Sequence, residues 1–106
     1  VRFSLKGLCQ ISPLAIEKLK RAKFVDISID YDKLIVGITP IFSIKPEETK
    51  DSFPVSITKS KDGKLHRGTL TFHIDKYLKG IQGTYLAEWS EGLKTLLISV
   101  REKPIR

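Results

Sequence analysis

Two stretches of this chain carry the same series of apolar anchors, and that repetition limits the fold more than any other feature. In the first, Ile11, Ala15 and Leu19 fall at helical spacing and Val25, Ile27 and Ile29 alternate as in a strand. In the second, Leu70, Ile74 and Leu78 keep the helical spacing and Tyr85, Ala87 and Trp89 the alternating one. The helical anchors lie 59 residues apart (70 − 11) and the strand anchors 60 (85 − 25). Each stretch continues into a further apolar run, at 34–38 and at 96–100. Segments this short cannot bury an apolar face alone, whereas two copies can complete each other. The expectation is one domain over residues 1–106, with internal repeats at 7–40 and 66–100 related by a pseudo-two-fold axis.

Local signals set the elements. Residues 1–10 alternate weakly, with Phe3 and Leu5 on one face, and read as a strand. Ser12-Pro13 is a helix start, an N-cap followed by proline at the first helical position. Leu14, Ala15, Leu19 and Ala22 then predict one buried side of a helix ending near Lys23. Residues 24–30 alternate strictly and predict a half-buried strand, which the turn residues at 30–33 join to a second strand over 34–41. Residues 43–52 are polar, contain Pro46 and read as the connector between the copies. A short strand over 53–58, an Asp62-Gly63 hairpin turn and a strand over 65–71 follow. Thr71 is positioned to cap a helix running through Lys79, stopped by Gly80. Residues 84–89 and 93–100 form the last hairpin. The predicted class is mainly β (α+β), two β-α-β-β units around one extra strand.

The 106 residues carry 19 Lys and Arg against 12 Asp and Glu, a formal net charge of +7. A basic balance favours a polyanionic partner, nucleic acid before an anionic membrane surface. No apolar run approaches the roughly 20 residues that span a bilayer, so no membrane partner is expected. Cys9 is the single cysteine, in an apolar stretch, and reads as a buried hydrophobe with no disulfide available. A cytoplasmic protein is the expectation.

Each copy resembles the swapped-hairpin DNA-binding module of the AbrB, MazE and MraZ group. That module reads Gly-Arg-apolar-apolar-Ile-Pro, a short helix ending in Leu, then an alternating hairpin. Gly7, Ile11, Ala15, Leu19 and residues 25–32 match it in the first copy, and Arg67, Leu70, Ile74, Lys76, Leu78 and residues 85–100 in the second. Proline is displaced to Pro13 in copy one, and Phe72 stands in its place in copy two; Leu8 replaces the Arg after Gly, and Ile16-Glu17 and Asp75-Lys76 replace the paired Arg. The resemblance implies two interleaved hairpins in one barrel-like sheet and a role as a transcriptional regulator on double-stranded DNA. By family position it selects Arg67 and Lys76 as DNA contacts; clustering adds Lys18, Lys20, Arg21 and Lys23.

Other chemistry is poorly supported. His66 and His73 lack metal-ligand spacing to Cys9, and Asp26, Asp30 and Asp32 lack a calcium-loop pattern. No phosphate loop and no nucleophile triad is legible, so neither an enzyme, a cofactor nor a metal is expected. Phe42, Phe53, Phe72, Tyr77, Tyr85 and Trp89 interleave with basic residues, a composition that also suits base stacking on single strands. Most occupy core positions, Trp89 being the exception. The alternatives to duplex binding are single-strand binding and an assembly module with a protein partner or a homo-oligomer.

Overall fold

The computed structural model describes residues 1–4, 7–42, 52–59 and 66–105. The expected connector, apart from Ser52, and the Asp62-Gly63 turn lie outside the described residues. The elements run β1 (Arg2–Phe3), β2 (Leu8–Ile11), α1 (Pro13–Lys18), β3 (Phe24–Asp30), β4 (Ile35–Ile41), β5 (Phe53–Pro54), β6 (Ser56–Lys59), β7 (His66–Thr71), a 3-10 turn (Ile74–Lys76), β8 (Gly83–Thr84), β9 (Ala87–Ser90) and β10 (Thr95–Ser99). The protein is mainly β: two five-stranded antiparallel sheets, ordered β6-β7-β2-β1-β8 and β5-β3-β4-β10-β9.

The chain stitches the two sheets together at both sides. Residues 53–54 pair with β3 in the second sheet, and after Val55 residues 56–59 pair with β7 in the first. Residues 83–84 pair with β1, and after Tyr85 and Leu86 residues 87–90 pair with β10. Inward residues of both sheets, α1 and the 3-10 turn meet in one core that includes Phe3, Cys9, Ile11, Ile16, Val25, Val36, Ile38, Ile74, Leu96 and Ile98. Phe72 joins its aromatic part, edge-on to Phe53 and stacked on Tyr77, both at 5.5 Å between ring centres. Of the sequence anchors, Ile11, Leu19, Val25, Leu70 and Ile98 are buried, while Ile27, Leu78 and Ala87 are partly buried against the same core.

The two hairpins of the second sheet share register and turn. Asp30 pairs with Ile35, and Ser90 with Thr95, each number 60 higher. Leu34 and Lys94 both take the left-handed conformation, at φ 54° and 53°. The Asp30 carboxylate accepts the Lys33 N–H at 3.0 Å, and the Ser90 hydroxyl accepts the Leu93 N–H at 3.2 Å. Where the hairpins meet, β4 faces β10 with Gly37 opposite Leu97, again 60 apart (97 − 37). In the first sheet Gln10 lies opposite Thr69, 59 apart (69 − 10).

Four expectations need correction. Residues 1–10 do not form one strand: Gly7, at φ 82°, donates to the Ser4 carbonyl and turns the chain so that β1 and β2 pair. The first helix stops at Lys18, because Lys20 and Arg21 adopt left-handed φ of 54° and 56° and reverse the chain into β3. Its buried side holds Ala15 and Ile16, while Leu14 is 83% exposed. The second helix is one 3-10 turn. Thr71 stays in the ladder opposite Leu8, and the Phe72 N–H donates to the Gly7 carbonyl, so tertiary pairing takes the residues that would have capped a longer helix. No helix among the described residues is long and apolar enough to cross a membrane.

Cys9 lies between Phe3 and Leu70 in the first sheet and is fully buried; burial pushes its thiol up to about 12. The thiolate is the reactive form. Native protein should therefore resist a disulfide reagent at mildly alkaline pH, and labelling should track denaturant-induced unfolding. Immediate labelling of the native state would contradict this packing.

Candidate nucleic-acid interface

Strand charge is divided by layer. The strands of the first sheet contain no Asp or Glu. Those of the second contain no Lys or Arg. Alternation decides which side each residue occupies. In the first sheet Phe3, Cys9, Ile11 and Leu70 turn inward, and Arg2, Leu8, Gln10, Arg67, Thr69 and Thr71 outward. In the second sheet the outward set holds Asp26, Asp30 and Glu88 with Ser28, Thr39 and Ser99, and Ile35, Gly37 and Leu97 lie among them.

The outer face of the first sheet is a grid of hydrogen-bonding side chains. Continuous register aligns Ser56, Thr69, Gln10, Arg2 and Thr84 in one row across all five strands. At roughly 4.8 Å between strands the row is about 19 Å wide. Thr58 and Arg67 form a cross-strand pair beside it, toward the α1 end. Arg2 and Arg67 are exposed, and neither forms an ion pair among the described residues. A surface with two free guanidiniums, several hydroxyls, an amide and no carboxylate on its strands can neutralise and hydrogen-bond phosphate oxygens.

The residues selected from sequence do not form one patch. Arg67 lies on this face. Lys76 lies in the 3-10 turn, reached from the Thr71–Leu8 end of the β2–β7 ladder, whereas α1 leaves from the Ile11 end, so Lys76 and the α1 cations flank opposite ends. Lys18 and Lys20 line a cleft of about 460 Å³ with Trp89, Phe42, Pro40 and Lys94. Arg21 pairs with Glu17 at 2.8 Å in an exposed bridge, and such pairs add little to stability. Lys23 is exposed just before β3. Sequence reasoning missed Arg2, Gln10 and Thr69; the available signal was the phase of Arg2 against Phe3, but only the sheet order places them in one row.

Elsewhere the polar groups have local work. Asp30 caps its hairpin turn. Glu91 accepts from Trp89 Nε1 at 2.9 Å and from Lys94 Nζ at 2.8 Å, and these bonds, that of Lys94 first, hold its carboxyl below the ordinary range. Among the described residues no group of three or more His, Cys, Asp or Glu is placed to hold a metal ion. No family model, no curated protein and no solved structure matches the chain.

Proposed function

We propose that this chain is a tandem swapped-hairpin module of the AbrB, MazE and MraZ kind, both halves supplied by one chain, and that it is a non-enzymatic duplex-DNA-binding regulator. The observation that carries the DNA reading is the division of strand charge between the layers. The sheet face whose strands carry no Asp or Glu, bearing Arg2 and Arg67, meets the phosphates, and the face of the second sheet with Asp26, Asp30 and Glu88 is turned away. The tandem reading is supported by the shared hairpin registers and turns 60 residues apart, and by the Gln10–Thr69 and Gly37–Leu97 pairs at the repeat spacing. The short second helical turn departs from the group's pattern.

In this mechanism the two arginines and the row of hydroxyls fix the sheet on the backbone, Lys76 and Lys23 add charge at its flanks, and Gln10 supplies an amide for a base edge or a phosphate. Counterion release makes the binding salt-sensitive. A titration with duplex DNA, single-stranded DNA and RNA at low and moderate salt tests the reading. Duplex should bind most tightly and weaken with salt.

One observation favours an assembly module instead: Leu14, Leu86 and Ile105 are 83%, 72% and 57% exposed and line one apolar groove. Patches of this kind mark interaction surfaces. Absence of binding to every nucleic acid at low salt, with self-association abolished by Leu14→Glu, would favour that reading.

A further inference from the structure

The cleft at the far end of α1 is not needed for the sheet-face reading, and its chemistry is different. Its floor is apolar and aromatic: Trp89, half-buried on the edge strand β9, with Pro40 and the 61% exposed Phe42. Its rim is charged: Glu17, Lys18, Lys20, Glu91 and Lys94. The two acids are already engaged. Glu17 pairs with Arg21 at 2.8 Å, and Glu91 holds both Trp89 Nε1 and Lys94. Lys18 and Lys20 form no ion pair among the described residues, and Lys18 is close enough to Glu91 to help hold that carboxyl ionised. The Glu91 bond holds the indole by its N–H, and the ring lines the cleft.

Lys20, at φ 54° in the turn that ends α1, lines the cleft with a conformation that glycine would adopt more readily.

We propose that this cleft binds an unpaired nucleotide, its base stacked on Trp89 and its phosphate between the ammonium groups of Lys18 and Lys20. The volume of about 460 Å³ lies within the range of small-ligand sites, and stacking on a ring face accepts any base. The nucleotide comes either from a single strand or as a free mononucleotide; both present the same ring and phosphate. The site goes beyond the duplex face, which uses neither Trp89 nor Lys20.

Trp89 is the only tryptophan in the chain; it borders both this cleft and the apolar groove of Leu14, so dependence of a quench on Lys20, which lines the cleft alone, assigns it to the cleft. Short oligothymidylate, adenosine monophosphate and inorganic phosphate are titrated separately into the whole chain, with free tryptophan as the absorbance control. Quenching by the oligonucleotide at lower concentration than the mononucleotide identifies a strand as the source; the reverse identifies a free nucleotide. Phosphate alone should not quench. The Lys18→Glu/Lys20→Glu variant should weaken the quench about tenfold or more. Trp89→Ala, followed by calorimetry, should lose about fivefold to a hundredfold in affinity, and Trp89→Phe much less. Lys20→Gly should weaken binding while holding or raising the melting temperature, because the strain is relieved. No quench by either nucleotide at millimolar concentration, or a quench indifferent to both lysines, overturns the proposal. Neither result bears on duplex binding through Arg2 and Arg67.

Discussion

Gly68→Ala should destabilise the fold by about 1–3 kcal/mol in equilibrium denaturation. Gly68 lies in β7 opposite Ile11, beneath α1. A Cβ built there runs into Ile16 Cδ1 and falls 3.1 Å from Val55 Cγ1. Ile16 is fully buried, so its side chain can give way only by disturbing the packing of α1 on the sheet. Total stability for domains of this kind is about 5–15 kcal/mol, so the loss is a large share. Ile16→Val removes the clashing methyl group at a cost of about 0.5–1.5 kcal/mol alone. In the double variant it should recover part of the Gly68→Ala loss, a coupling that independent sites would not show. Gly92→Ala is the control: nothing lies within 4 Å of its built Cβ, and the change should stay within about 0.5 kcal/mol.

A comparably large change is expected in binding. Arg2→Glu/Arg67→Glu puts two carboxylates on strands that carry none. Both side chains are exposed and outside any ion pair among the described residues, so stability should move by less than about 0.5 kcal/mol. Duplex affinity should fall more than about tenfold at low salt, and the slope of log K against log salt should flatten by about two, one for each phosphate no longer neutralised. Lys103→Glu, in the exposed segment after β10, changes net charge by half as much and should cost far less than half of that loss in log affinity. A loss of half or more from that control would mean that attraction follows net charge alone.

Much of the second sheet was legible in the sequence. Strict alternation over 24–30 predicts β3 to the residue, and Asp30 announces the turn that it caps. The first sheet was less legible. Its strands β1 and β8, like β5 of the second sheet, are two residues long, too short for any period to register, and pairing partners distant in sequence define them. The helix beyond Thr71 shows local capping chemistry losing to a long-range ladder. The nucleic-acid face was legible only as single residues. Arg67 stands out through the family motif, but Arg2, Gln10 and Thr69 become one row only when β1, β2 and β7 are adjacent. Lys94 pairs locally with Glu91, three residues before it, but only the packing of α1 against β9 sets that pair beside Lys18 and Lys20 in the Trp89 cleft.

If the outer face of the first sheet meets duplex DNA, backbone amide chemical shifts followed while a short duplex is added will locate the contact. The largest shifts should fall at Arg2, Gln10, Ser56, Arg67 and Thr69, with little change at Asp26, Ser28, Glu88 and Ser99 on the opposite face. Shifts concentrated on the second sheet, or spread evenly over both, would contradict that placement of the DNA.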